Sequence, residues 1–157
     1  MIPIQTFDGC LNLKEITLPE KIDSIGSFAF EDCSSLVSVS IPEGVTSIEY
    51  GAFRGCTSLA SVSIPEGVTS IEHCTFEGCT SLASVSIPDG VTSIGERVFL
   101  GCNSLEKLHI KSENPPVTGS WFKEDCENCT LYIPQGCKTT YINAGEPWTL
   151  FKDIIEE

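Results

Sequence analysis

Two consecutive stretches of the chain, Ser35–Thr57 (SLVSVSIPEGVTSIEYGAFRGCT) and Ser58–Thr80 (SLASVSIPEGVTSIEHCTFEGCT), are nearly the same sequence. They agree at 18 of 23 positions. Self-similarity at a fixed period of about 20 to 50 residues is typical of proteins built from stacked repeats, in which each unit buries its apolar side chains against the next. The sequence therefore predicts an array of 23-residue coils.

The same period continues through most of the 157 residues. Several columns recur with this step, each occupied by one residue type or by similar apolar types. The columns are Phe at 7, 30, 53, 76, 99 and 122, Cys at 10, 33, 56, 79 and 102, Leu at 13, 36, 59, 82 and 105, and Leu or Ile at 18, 41, 64, 87, 110 and 133. Because one coil alone cannot bury these side chains, the columns predict stacked coils that share a continuous core.

Within one coil, alternating apolar residues are followed by turn residues. Val62 and Ile64 lie two residues apart, which places both on one side of a short strand. Pro65–Gly67 turns the chain, because Pro fixes φ at a turn and Gly accepts positive φ. Val68–Ile71 indicates a second extended segment, and the following residues return the chain and carry Phe76 inward. The predicted fold class is a repeat solenoid of five to six coils, made mostly of short β-strands, with a small C-terminal cap.

The repeated unit carries a family resemblance. L-x-x-V-x-I-P-x-G-V-T-S-I-x-x-x-x-F-x-G-C resembles the BspA-type, or Treponema pallidum-type, leucine-rich repeat over residues 2 to about 136. The tail, with Leu131–Gly136, Tyr141, Trp148, Phe151 and Asp153–Glu156, resembles the C-terminal cap of such proteins from Bacteroides-like gut bacteria. The resemblance implies a solenoid without known catalytic residues, in proteins that are surface-exposed or secreted and implicated in adhesion. It implies no specific ligand.

The repeat phase divides the chain into a leucine-rich repeat solenoid at residues 1–136 and a C-terminal cap at residues 137–157. In the cap, residues 138–144 are predicted to form a short helix, and Trp148, Phe151 and Ile154 are predicted to cover the end of the core. A terminal repeat needs such a cap to stay soluble.

At the other end, the sequence starts in the middle of a repeat, because Ile2 falls in the same column as Ile25. A coil without a neighbour exposes core residues and strand edges. We therefore expect end-to-end self-association of the truncated N-terminal coil. The phase also predicts that the natural product extends further and that its export signal lies outside this stretch. With the resemblance, this predicts a cell-surface or secreted location.

The charge balance argues against two classes of partner. Nine Lys and Arg residues stand against 22 Asp and Glu residues, which gives a net charge of −13. Nucleic-acid binding depends on basic residues that neutralise phosphates, and binding to an anionic membrane surface needs basic clusters. No apolar run approaches the roughly 20 residues that span a bilayer, so no membrane insertion is expected.

The nine cysteines fall into two groups. The five column cysteines should point in parallel into the core, where Cys packs as a small apolar residue, and parallel side chains do not favour disulfides. The four others are Cys74, Cys126, Cys129 and Cys137. For them, free thiols, a local disulfide and zinc binding through Cys126-x-x-Cys129 all remain open.

Two further groups contain residue types that can carry chemistry. His73 beside Cys74 has the residue types of a base and a nucleophile, but neighbours on an extended segment point apart. An acidic column at the turns, Glu20, Glu43, Glu66 and Asp89, and the pair Glu49 and Glu72, allow either calcium binding or simple solvation. With no catalytic constellation, the sequence predicts a protein that is not an enzyme and has no cofactor or metal site.

The most site-like surface is the outward side of the predicted strands. Small hydroxyl residues fill its middle, followed by two larger residues, and the candidate partner-binding residues are Ser38, Ser40, Ser61, Ser63, Ser84, Ser86, Lys107 and His109. Such a shallow uncharged strip suits a partner protein or glycan, although Ser also simply fits between closely spaced coils.

The resulting hypothesis is non-enzymatic recognition at a bacterial surface, of a protein or glycan from a host or neighbouring cell. Two alternatives stay open. One is a structural spacer without its own ligand, and the other is a metal-binding module that uses the off-column cysteines or the acidic turn column.

Overall fold

The computed structural model describes residues 1–119 and 128–157, and it consists of short parallel strands wound into a solenoid. The strands and helix of the described residues, in chain order, are β1 (Glu15–Thr17), β2 (Ser24–Ile25), β3 (Ser38–Ser40), β4 (Ser47–Ile48), β5 (Ser61–Ser63), β6 (Ser70–Ile71), β7 (Ser84–Ile87), β8 (Ser93–Ile94), β9 (Lys107–Ile110), β10 (Val117–Thr118), β11 (Thr130–Ile133), α1 (Lys138–Asn143) and β12 (Asp153–Glu156).

The odd-numbered strands form what we call the main row. β5, β7, β9 and β11 pair in parallel, and β12 pairs with β11 at the edge, while β1 pairs with β3. The register keeps equivalent residues side by side, for example Val62 beside Val85. Between β3 and β5, the Ala60 N–H donates to the Val37 carbonyl at 3.2 Å, so the row continues across this gap.

The even-numbered strands form a second row, and both rows contribute to one core. β2 pairs with β4, and β8 pairs with β6 on one side and with β10 on the other. Val62 from the main row and Ile71 from the second row belong to the same buried cluster. The predicted repeat solenoid of 23-residue coils is therefore confirmed, with about six turns.

The Phe column forms a continuous stack inside the solenoid. Phe30, Phe53, Phe76 and Phe99 are at most 1% exposed. Consecutive rings from Phe7 to Phe99 lie nearly parallel, with centroids 5.0 to 5.9 Å apart. The column position Phe122 lies outside the described residues.

The Cys column is buried from the second coil onward. The thiols of Cys33, Cys56 and Cys79 each donate to the carbonyl of the column Phe in the preceding coil, with Sγ to O distances of 3.1 to 3.2 Å. Each of these carbonyls also accepts a backbone N–H, so the thiols add a second hydrogen bond there as well as filling space. The prediction of burial is wrong for Cys10, which is exposed because no coil packs over it in this structure.

A glycine column allows the tight return after each Phe. Gly55 and Gly78 have φ of 71° and 74°, a region that residues with a side chain rarely adopt. The equivalent residue one coil earlier is Asp32, with φ of 53°, and Asp tolerates this conformation better than most residues do.

The C-terminal region begins with a coil that departs from the 23-residue spacing of the earlier coils. In β10, Val117 pairs with Ser93, 24 residues earlier, whereas Leu131 in β11 pairs with Leu108, 23 residues earlier. This distortion follows the segment in which Lys111–Pro116 replaces the usual turn.

The cap combines the predicted helix with a strand that the sequence analysis missed. α1 confirms the short helix, and its Tyr141 is fully buried and donates its hydroxyl to the Ser112 carbonyl at 2.8 Å. Trp148 packs edge-on against Tyr141 with ring centroids 5.3 Å apart, and Phe151 is also buried. β12 pairs with β11 and so extends the main row into the cap. The domain boundary predicted between residues 136 and 137 is not tested by this pairing and stays a prediction. No helix within the described ranges has the length and apolar character needed to cross a bilayer.

Candidate functional site: the outer face of the main row

The predicted candidate residues lie together on one face, which we call the outer face. Alternation along each strand turns Val39, Val62 and Val85 into the core and the serines on either side of them outward. The register then aligns Ser61 with Ser84 and Lys107. The structure thus places the candidates in two parallel lines, Ser38, Ser61, Ser84, Lys107 and Ser40, Ser63, Ser86, His109.

The six serine hydroxyls of the outer face have no hydrogen-bond partner among the described residues. Hydroxyls elsewhere in the coil are used differently: Ser58 donates to the Ser34 carbonyl at 2.6 Å, and Thr75 donates to the Glu72 carbonyl at 2.6 Å. Strands lie about 4.8 Å apart and alternate residues about 7 Å apart along a strand. The outer face therefore presents a regular grid of hydroxyl groups whose bonding capacity is available to a ligand.

An aromatic pair closes the C-terminal end of this grid. His109 stacks on Tyr132 with ring centroids 4.3 Å apart and planes 9° apart, and the two residues are register partners. His109 Nδ1 lies 2.8 Å from Glu157 Oε1, which fixes the ring. Ile155 continues the same line and is 43% exposed. The outer face thus extends two strands beyond the predicted residues.

Beside this end lies a polar recess of about 540 Å³, which we call the C-terminal recess. It is lined by Asn103, Ser104, Leu105, Glu106, Lys107, Asn128, Thr130, Tyr132 and Lys152. Lys107 and Lys152 form no ion pair with any described residue. Sequence reasoning found Lys107 only. The 23-residue step from Thr130 and Tyr132 to Asp153 and Ile155 was the signal that could have extended the face into the tail.

The structure does not arrange His73 and Cys74 for catalysis. His73 Nδ1 accepts a hydrogen bond from the Glu96 backbone N–H at 3.1 Å. The Cys74 thiol is buried and lies 3.6 Å from the Tyr50 hydroxyl oxygen. Burial raises the pKa of Cys74, which disfavours the thiolate that a nucleophile requires. Repeat proteins of this kind are generally non-enzymatic scaffolds, and nothing here shows catalytic activity.

The off-column cysteines that the structure describes are free thiols. Cys74, Cys129 and Cys137 are buried and unbridged, and burial raises the pKa of Cys129 to about 12. Cys126 lies outside the described residues, and so does the alternative of zinc binding through Cys126-x-x-Cys129.

Three of the six acidic residues singled out from the sequence have partners among the described residues. Glu66 forms an ion pair with Lys111, while Glu49 and Glu72 accept hydrogen bonds from Ser27 and Ser70 at 3.2 and 2.7 Å. Across residues 1–119 and 128–157, no three His, Cys, Asp or Glu side chains are grouped so that they could hold a metal ion.

Comparisons with known proteins agree with this architecture. The sequence model of the BspA type leucine rich repeat region matches residues 1–143, in six copies. No curated protein matches the sequence. Among solved structures, the leucine rich repeat protein of Treponema pallidum superposes with a TM-score of 0.74 at 24% identity, over 93% of this chain and 77% of that one.

Two larger bacterial proteins also contain this fold. A leucine rich cell surface protein from Faecalibacterium prausnitzii superposes with a TM-score of 0.72 at 35% identity, over 84% of this chain and 36% of its own. The pneumococcal vaccine antigen PcpA superposes with a TM-score of 0.72 at 23% identity, over 99% of this chain and 39% of its own. This chain therefore spans a little over a third of the length of each.

Proposed function

From the premise that this chain belongs to the BspA-type leucine-rich repeat family, we propose that it is a non-enzymatic recognition module, displayed on a bacterial surface or secreted. It binds a protein or glycan of a host or neighbouring cell through the outer face. The cell-surface description of the Faecalibacterium prausnitzii protein, at 35% identity, supports this location.

The observation that carries the proposal is the grid of unpartnered hydroxyls. Elsewhere in the coil, side chains such as Ser58 and Thr75 satisfy backbone carbonyls and so contribute to the fold. The outer-face serines make no such bond with the described residues. A polar group that bonds only to water leaves its donor and acceptor available, and recognition sites are built from such groups.

The test is an array of glycans and extracellular-matrix proteins, probed with the wild type and with a variant that combines Ser38→Arg, Ser61→Arg and Ser84→Arg. Three arginines in one line would fill the shallow strip, and binding should be lost. The matched control combines Thr46→Arg, Thr69→Arg and Thr92→Arg, which adds the same charges at the same 23-residue spacing at exposed positions beside the second row. It should retain binding.

Two outcomes contradict the proposal. Binding that survives the serine substitutions would move the recognition surface to another part of the coil. An array without any saturable binding would favour the alternative of a structural spacer.

We propose in addition that the first coil associates with a second copy of the chain. Met1, Ile4 and Leu11 are 57 to 66% exposed, and Phe7 beside them is only partly buried. Sedimentation at increasing concentration should show a dimer that Leu11→Glu weakens. Val117→Glu, at a residue that is 76% exposed outside this coil, is the control. A monomer at all concentrations would overturn the proposal.

A further inference from the structure

We infer that the C-terminal recess binds the carboxylate of an acidic glycan whose neutral part lies along the serine grid. This inference rests on the proposed function, because it assigns a ligand class to the same outer face.

Cations are scarce in this acidic protein, yet two of them line the recess. Only nine Lys and Arg residues are present, and several are already neutralised: Arg54 pairs with Glu31, Arg97 with Glu77, and Lys111 with Glu66. The recess nevertheless collects both Lys107 and Lys152, which have no ion-pair partner within the described residues. Two unpaired ammonium groups on one recess form a binding site for an anionic oxygen group.

The rest of the recess lining is largely neutral and polar. Asn103 and Asn128 provide amides, and Ser104 and Thr130 provide hydroxyls, so donors and acceptors surround the two ammonium groups. A volume of about 540 Å³ suits a ligand of small-molecule size, such as one or two sugar rings. This mixture matches a sugar that carries both hydroxyl groups and a carboxylate.

Tyr132 provides an aromatic side to the recess. Its ring lines the recess and is stacked against the ring of His109. A rigid aromatic ring with a polar tip offers apolar contact at little entropic cost, together with a hydroxyl for a hydrogen bond. Sugar rings present apolar C–H groups on one side and hydroxyls at the edge, which fits such a wall.

The recess joins the serine grid directly. Lys107 is the register partner of Ser84, and His109 is the register partner of Ser86. A glycan anchored by its carboxylate at Lys107 therefore continues over a floor of hydroxyls. A peptide would find few apolar pockets on that floor for its side chains, whereas a polyhydroxylated chain can bond to it along its length.

The surrounding acidic groups set the expected strength. Glu106 lines the recess, and Asp153 is the register partner of Thr130 at its edge. The net charge of −13 repels anions at long range, but charges beyond about 8 Å are largely screened at physiological salt. Within the recess two lysines outnumber the single lining carboxylate of Glu106, so we expect modest binding of an anion that weakens as salt is raised.

The experiment uses oligosaccharides that end in glucuronate, galacturonate or sialate, each paired with its carboxyl-reduced, neutral form. Wild-type protein should bind at least one carboxylated probe about tenfold more tightly than its reduced counterpart. The variant Lys107→Gln with Lys152→Gln should lose this preference. The control variant Lys14→Gln with Lys21→Gln removes two exposed lysines outside the recess and should keep it. Thermal unfolding of all variants verifies that they are folded.

The outcomes separate this inference from the proposed function. Equal binding of carboxylated and reduced probes, or no binding of any carboxylated probe, overturns the acidic-glycan inference. If the three Ser→Arg substitutions still abolish binding of a neutral glycan or a protein in that case, the proposed function stands without it.

Discussion

The inward and outward sides of the main-row strands are one residue apart in sequence and opposite in their physical situation. Val39, Val62 and Val85 are at most 8% exposed and belong to the continuous core. The hydroxyls of the serines beside them have no hydrogen-bond partner within the described part of the protein, although their backbones pair in the ladder. Both sides repeat every 23 residues, yet only the inward side is needed to hold the coils together. Regular repetition therefore marks packing on one side and leaves the other side available for recognition.

The largest expected effect comes from the inward side. Phe53 is fully buried between Phe30 and Phe76, with ring centroids 5.3 and 5.7 Å away. Phe53→Ala should lower the free energy of unfolding by about 3–5 kcal/mol, because it removes a large apolar side chain and leaves a cavity. Chemical denaturation measures this. Phe7→Ala, at a ring that is only partly buried with a single stacked neighbour, should cost clearly less. Equal losses would contradict a core built by neighbouring coils.

A smaller effect is expected from the column cysteines at alkaline pH. Burial raises the pKa of Cys33 from 9.0 to about 11. The unfolded chain therefore loses this proton near pH 9 while the folded chain keeps it, so stability falls as the pH rises from about 9 to 11. Between pH 9 and 11 the free energy of unfolding should therefore fall by about 1–3 kcal/mol less in Cys33→Ala than in the wild type. Urea unfolding at several pH values gives the change of unfolding free energy with pH for the wild type and for Cys33→Ala. Equal slopes would show that the Cys33 thiol is not shielded from water.

The coil itself could be predicted from sequence because the same evidence recurs in every repeat. Val62, Ile64 and Phe76 each have equivalents 23 residues away. A wrong assignment in one coil would therefore disagree with the assignments in its neighbours. Cys10 was misjudged because burial depends on a neighbouring coil, which the column pattern does not report. An end of a repeat array follows different physics from its middle.

The C-terminal end of the outer face could not be predicted in full. Lys107 and Lys152 line one recess because β12 pairs with β11. The tail keeps the 23-residue step, but its residues no longer match the types that recur in the earlier coils. Tyr132 lies 23 residues after His109 and is its register partner. No other coil carries a tyrosine at this position, so the repeat pattern did not indicate its role. Sites of this kind depend on register between strands that differ in sequence, and the register is a property of the assembled fold.

The smallest expected effect on stability, and the most informative about function, comes from the outward side. Ser61→Ala combined with Ser84→Ala removes two exposed or half-exposed hydroxyls without partners in the described structure, so unfolding free energy should change by less than about 0.5 kcal/mol. The inward neighbour substitution Val62→Ala should cost more than about 1 kcal/mol, since it uncovers core surface. Binding should follow the opposite order, being weakened by the serine changes and kept by Val62→Ala in the folded protein. If the hydroxyl deletions destabilised the coil as much as Val62→Ala, the serines would be structural and the contrast between the two sides would fail. Separate rankings for stability and binding would show that one strand divides these two tasks between its sides.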